Sequence, residues 1–293
     1  MYFSLDVSYW LTLALAPLTA FFMVRLFIIQ HDCGHGSFFK SSRVADIIGT
    51  ILGVITLTPY HYWKTTHAIH HATSGKLEHR GFGDIDTLTV NEYLALSRWG
   101  RLKYRVYRHP LVLFGVGAVL HFFIRHRLPI IIPPDWKRER RSILYTDLAL
   151  ALLVTGMGWI MGFREFLLVY LPFTLMACSI GVWLFYVQHQ FEPTYWEYDH
   201  SWSYDDAALE GSSFLRLPKP LQWLTGNIGL HHVHHLNARI PNYRLQEVFD
   251  KHPELQQVTT ITMWRSFRCM GLALWDERQR RLVRFREALG PRA

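Results

Sequence analysis

Three apolar runs constrain this 293-residue chain more than any other feature. They cover residues 8–29, 143–161 and 166–187, each close to the ~20 residues that a helix needs to cross about 30 Å of hydrocarbon. Backbone groups find no water there, so a single run satisfies them only as a helix. The first run contains Pro17 and, near its end, Arg25, whose long stem lets the charge snorkel to an interface. Its opening, MYFSLDVSYW, has no basic segment ahead of the apolar residues and reads as the start of a span, not a signal peptide. Only Gly162 to Glu165 separate the second and third runs, which are therefore expected to form a hairpin. Two further apolar stretches, 44–58 and 110–124, are about 15 residues each, a length suited to interfacial or re-entrant segments. The fold expected is an all-α integral membrane protein of about three transmembrane helices. Interfacial helices and a cytoplasmic helical cap over 188–293 complete a single domain, 1–293.

Composition supports a membrane setting. Half of the residues are hydrophobic and 18% are charged, against about 25% in an ordinary soluble domain. Of 31 Lys and Arg residues, none lies in Met1 to Val24, and the hairpin tip holds only Arg164. The positive-inside rule then puts the N-terminus and the tip outside, and the other polar segments in the cytoplasm. The three cysteines are widely spaced and imply no disulfide framework. Arg98 to Arg108 and the tail from Trp264 mix basic and aromatic residues, which suits anionic headgroups or an acidic redox partner. No nucleic-acid reading module accompanies the formal charge of +8.

The 17 histidines are the second anomaly, and they cluster. His31-Asp32-Cys33-Gly34-His35 follows the first run, and residues i and i+4 share a helix face. His67-Ala68-Ile69-His70-His71 follows the first short apolar stretch, His189 ends the third run, and His231-His232-Val233-His234-His235 lies near the C-terminal third. A single pair at this spacing is commonly a surface or core feature. Here the clusters gather at one end of the spans, while Met1 to Ile29 and Ile143 to Gln188 contain no histidine. Helix-facing positions give nine candidate ligands: His31, His35, His67, His70, His71, His189, His231, His234 and His235. A metal with an open position takes three or four protein ligands, so nine imidazoles suit two ions. Imidazole alone does not choose among Zn, Cu, Fe and Ni.

Asp32 is expected to orient an imidazole and not to bind metal, because at i+1 it points off the ligand face. Asp84, Asp86 and Asn227 are candidates for the same role, with turn and cap chemistry as the alternative. Tyr62, Trp63 and Trp223 are candidates to line an acyl path, with an interfacial aromatic belt as the alternative. His232 falls outside the ligand set. His61, His79, His109, His121, His126, His200 and His252 lack the spacing and are read as structural or interfacial.

The order HDCGH, HAIHH, HHVHH, interleaved with spans, resembles the membrane fatty acid desaturases with three histidine boxes. The contexts GHGSFF, TPYHYW and GNIGLHHVHHLNARIPNY are most similar to bacterial and cyanobacterial acyl-lipid desaturases of the delta-12 (omega-6) type. The resemblance implies two non-haem irons held by the box histidines and, by location, by His189. It also implies O2 as oxidant, a lipid-linked acyl substrate, and electrons from a ferredoxin or cytochrome b5. It further implies a four-helix topology of which this chain would lack the first helix. His109-Pro110 and His252-Pro253 are not followed by the Gly-Gly of a fused cytochrome b5, and no Gly-rich nucleotide loop opens a helix, so the donor is expected to be external. Such chemistry suits the residues, because an unactivated methylene offers no acidic proton or polarised bond for side chains to attack. Two rivals remain at this level: a di-iron hydroxylase or ketolase of alkane or carotenoid type, and a non-enzymatic membrane metal or haem carrier.

Overall fold

The computed structural model describes residues 1–81, 83–129 and 132–289; the last four residues of the expected cap lie outside them. The helices in chain order are α1 (Tyr9–His35), α2 (Ser42–Ile55), α3 (Tyr60–Thr73), α4 (Val90–Ala95), α5 (Arg98–Arg108), α6 (Gly117–Phe123) and α7 (Lys137–Met161). They continue with α8 (Phe163–His189), α9 (Tyr204–Leu209), α10 (Lys219–Leu224), α11 (His231–Leu236), α12 (Asn242–Lys251), α13 (Met263–Cys269) and α14 (Phe285–Leu289). Strands β1 (Leu88–Thr89), β2 (Phe214–Arg216), β3 (Thr260–Thr262), β4 (Leu274–Asp276) and β5 (Arg281–Val283) are too short to leave an alternation in the sequence. Three helices, α1, α7 and α8, are long and apolar enough to cross a membrane. Each outruns its apolar run: α1 continues through the first histidine box, and α8 ends on His189.

Two compact units divide the chain. The first takes Met1–Thr65, Phe114–Val182 and Leu224–Gly226. Within it α1 starts at Ser8, whose hydroxyl accepts from Trp10 N, and runs unbroken past Pro17. It stops at Gly36, where φ is +68°. The left-handed residue lets Ser37 N reach back to Asp32 O at 3.0 Å, closing the last turn that carries His31 and His35. Helices α7 and α8 are joined by Gly162 alone, with φ +87°, a tighter hairpin than the four-residue link expected.

The stretch 44–58 is a helix followed by a sharp turn of 102° into α3. Backbone that leaves a helix at membrane depth must find partners in protein. Gln30 Nε2 donates to Thr58 O at 3.3 Å, Thr56 Oγ1 donates to Gln30 Oε1 at 2.6 Å, and Arg127 Nη2 donates to Leu57 O at 2.7 Å. Arg127 is in turn paired with Asp147 of α7 at 2.8 Å. Tyr60, fully buried against Cys33 and Ala45, donates to Cys33 O at 2.9 Å and so ties the start of α3 to the end of α1. Gly49 and Gly53 make this fit possible, since Tyr60 lies over the first and the Thr58 carbonyl over the second.

The second unit takes Thr66–Leu113, Trp183–Trp223 and the chain from Asn227 on. Strands β1, β4 and β5 form one small sheet in that spatial order β1-β4-β5, parallel then antiparallel, and β2 pairs with β3 in parallel. Val90, Tyr93, Tyr104, Leu274 and Val283 form one buried cluster under the first sheet. Phe214, Leu230, Val233, Leu245 and Leu255 form another around β2, α11 and α12. β2 also stitches two ligand-bearing segments together. Ser213 N donates to Gln188 O at 3.0 Å, Leu215 N donates to Gly229 O at 2.7 Å, and Gln188 Nε2 donates to Ile228 O at 2.9 Å.

The turn before α3 predicts a sharp contrast between two glycines. A Cβ at Gly53 would meet Thr58 O at 2.5 Å, whereas one at Gly156 in α7 meets nothing within 4 Å. Gly53→Ala should lower the thermal midpoint in detergent by several degrees, as expected for overpacking worth about 1–3 kcal/mol. Gly156→Ala should leave it unchanged or raise it, since Ala favours a helix by up to ~1 kcal/mol over Gly. Size-exclusion melts of the two variants check the contrast.

Candidate metal centre

In the second unit, seven of the nine candidate histidines come from three places in the chain. α3 supplies His67, His70 and His71, the last residue of α8 is His189, and the six-residue α11 supplies His231, His234 and His235. α11 is too short to hold itself and is pinned from outside. Asn227, with φ +55°, makes the turn ahead of it, Asn227 Nδ2 donates to Asn242 O at 3.1 Å, and Tyr204 Oη donates to His235 O at 2.6 Å.

The imidazoles sort into two groups. His70, His189, His231 and His235 are all buried, and their ligand atoms lie within 4.8 Å of one another. His67, His71 and His234 likewise converge within 4.8 Å. In the first group His189 Nε2 faces His70 Nε2 at 3.2 Å and His231 Nε2 at 2.9 Å. In the second His71 Nε2 faces His67 Nε2 at 3.2 Å and His234 Nε2 at 3.0 Å. The partition is reciprocal. The i, i+4 pair of α3, His67 and His71, is joined by the odd histidine of α11; the i, i+4 pair of α11, His231 and His235, is joined by the odd histidine of α3.

The outer nitrogens explain why such groups suit a cation. His70 Nδ1–H donates to Asp84 Oδ1 at 2.5 Å, and His189 Nδ1–H donates to Gly211 O at 3.3 Å. A neutral ring that donates from Nδ1 keeps its lone pair on Nε2, so in their neutral forms both rings turn a lone pair inward. In that form two lone pairs face each other across 3.2 Å, which is repulsive unless a proton or a metal ion lies between them. His235 Nε2 is buried with no hydrogen-bond partner. Burial, with the neighbouring imidazoles adding to it, pushes His235 well below the usual histidine range, so the ring stays neutral and able to bind metal. The donor set is all imidazole, which fits Fe, Zn, Cu or Ni and not a hard, oxygen-seeking ion.

His31 and His35 lie in the first unit, on the closing turn of α1, with ring centroids 4.7 Å apart. His31 Nδ1–H donates to Asp32 Oδ1 at 3.1 Å, the same outward anchoring found at His70. Trp63 packs on His31 at 5.5 Å and directly over Gly34, where a Cβ would meet its ring at 2.8 Å. That contact gives Gly34 of the box a reason to be glycine.

Asp84 meets a ligand ring, and the backbone of Asp86 accepts from Arg108 and Tyr104 and donates to Tyr107 Oη. Asn227 holds a turn. Tyr62 packs against His126 at 5.9 Å, and Trp223 is more than half exposed. His232 turns away to Leu255 O at 3.0 Å, and burial lowers it to about 4. Sequence reasoning missed Gln188, Tyr204 and Phe185, whose ring lies 5.0 Å from His70 and 5.3 Å from His189. Gln188 carried a usable signal, a polar amide at the end of an apolar span that must find a partner.

A family model described as fatty acid desaturase matches residues 8–267. A fatty acid desaturase of Bacillus subtilis (strain 168) is 51% identical over 285 residues, covering 97% of this chain and 80% of that protein. An sn-1 oleoyl-lipid 12-desaturase of Synechocystis is 29% identical over 75% of this chain and 62% of its own length. An omega-3 chloroplastic fatty acid desaturase of Glycine max is 29% identical over 76% of this chain, which spans half of that longer protein. The chain belongs to the fatty acid desaturase family of oxidoreductases, and it has both histidines that can hold a metal and three helices able to cross a membrane.

Proposed function

We propose that the chain introduces a cis double bond of the delta-12 (omega-6) type into a lipid-linked acyl chain, at two non-haem irons. The observation that carries the metal reading is the pair of facing lone pairs on His70 and His189. The regiochemistry draws on the named activity of the Synechocystis relative. The proposed ligands are His31, His35, His67, His70, His71, His189, His231, His234 and His235.

When bound, the irons would supply O2 activation and removal of two hydrogens from an unactivated carbon pair. The overall balance is CH2–CH2 + O2 + 2 electrons + 2 protons giving CH=CH + 2 H2O. The electrons come from an external one-electron carrier of ferredoxin or cytochrome b5 type; a sunflower relative is named as ferredoxin-linked. The residues of the chain hold the geometry. Asp84 and Gly211 O fix the tautomers of His70 and His189, so that their lone pairs point inward without rearrangement. Phe185 gives these two rings an apolar wall, which limits water beside a strong oxidant. The charge distribution favours the cytoplasmic side for this site, and the Bacillus relative supports a bacterial inner membrane.

Expression in a host whose lipids are only monounsaturated should yield diunsaturated chains with the new bond at position 12, located by mass spectrometry. Hydroxy or keto products without a new double bond would overturn the desaturase reading, and a bond elsewhere would overturn the regiochemistry. The purified protein should hold about two irons per chain and show no Soret band. His70→Ala or His234→Ala should abolish activity with membrane insertion retained, whereas His252→Ala, an exposed residue bonded to Glu254, should keep it. Asp84→Asn should weaken metal binding roughly 10–100-fold, the usual effect of losing an outer-shell partner, and metal titrations followed by elemental analysis check both sets.

A further inference from the structure

Arg108, the last residue of the basic helix α5, is 3% exposed. Its partners are five oxygens of neutral groups. Nη1 donates to Asp86 O at 2.9 Å and Thr87 Oγ1 at 3.0 Å; Nη2 donates to Tyr186 Oη at 3.2 Å, Gln190 Oε1 at 3.0 Å and Leu272 O at 2.7 Å. No ion pair is formed by it among the described residues. A buried guanidinium without a carboxylate costs several kcal/mol of desolvation, which the bonds of Nη1 and Nη2 offset in part, Nε being buried with no hydrogen-bond partner. A methionine or leucine would fill the space at less cost, so the charge and the fork geometry call for a reason.

The partners supply one. Asp86 and Thr87 lie in the loop just after Asp84, whose carboxylate holds His70. Tyr186 and Gln190 lie one helical turn apart at the end of α8, on either side of His189. One planar group therefore spans the two segments that aim His70 and His189 at each other, and Thr87 Oγ1 and Gln190 Oε1 also approach within 3.4 Å. We propose that Arg108 is a positioning residue, a clamp that sets the spacing of the His70, His189, His231 and His235 group without touching it. Lysine carries the charge but offers three donors from one point, so it cannot bridge both segments.

The inference rests on the metal reading above, and the experiment separates the two. Wild type, Arg108→Lys, Thr87→Val and Leu274→Ala are purified in detergent, loaded anaerobically with Fe(II) or Co(II), desalted and assayed for metal per chain. Arg108→Lys should fall from two ions to one. Thr87→Val removes a single acceptor of the clamp and should weaken the second ion about tenfold, and it carries the test alone if the lysine variant does not fold. Leu274→Ala, which empties part of the buried cluster beside β4, should melt lower yet keep two ions. Two ions at wild-type affinity in the folded clamp variants, or loss of the same ion in Leu274→Ala, would overturn the inference. A wild-type chain that takes up no metal would overturn the metal reading itself, and the inference with it.

Discussion

Everything about this site depends on how its imidazoles are turned. A neutral histidine has one proton and one lone pair, and whichever nitrogen donates outward leaves the other to face inward. At His70 the outward partner is Asp84 and at His189 it is the Gly211 carbonyl. His31 shows the same device with Asp32 in the first unit. Lone pairs brought together in this way repel, and folding tolerates that arrangement because each ring is held from behind and the surrounding protein is packed. The cost is offset when a cation binds, so the site is preorganised for metal, as binding chemistry requires.

The rest of the second unit makes sense as support for that arrangement. α11 is only six residues long, and its histidines are aimed by contacts from β2, α9 and the turn at Asn227, not by the stability of the helix itself. The small sheets serve as short stitches between loops. In the first unit the same economy appears at the 102° turn before α3, where Gln30 and Arg127 satisfy carbonyls that a helix would have used. Gly34, Gly49 and Gly53 let rings and backbone approach where a Cβ would collide.

Much of the fold was legible because its signals are long. Apolar runs near 20 residues announce helices by length, and α1, α7 and α8 stand where those runs fall. Spacing at i, i+3 and i+4 announced the histidines as a set. Their partition was not legible, because neighbours such as His70 and His71 go to different groups, and only the packing of α3 against α11 decides which. The role of Asp84 was equally hidden: it sits in a loop of turn-forming residues, and only the fold turns its carboxylate toward the His70 ring. Arg108 could not be told from the surface arginines beside it, since burial of a single residue in a basic helix leaves no pattern. The five strands, at two or three residues each, were below the reach of any alternation.

The most direct measurement is iron K-edge absorption on protein isolated from membranes. Nitrogen-dominated first shells with strong outer-shell scattering from several imidazole rings are expected, with no sulfur contribution from Cys33, Cys178 or Cys269. A spectrum fitted by sulfur or by carboxylate oxygen with few imidazoles would contradict the central claim that converging histidines hold the metal.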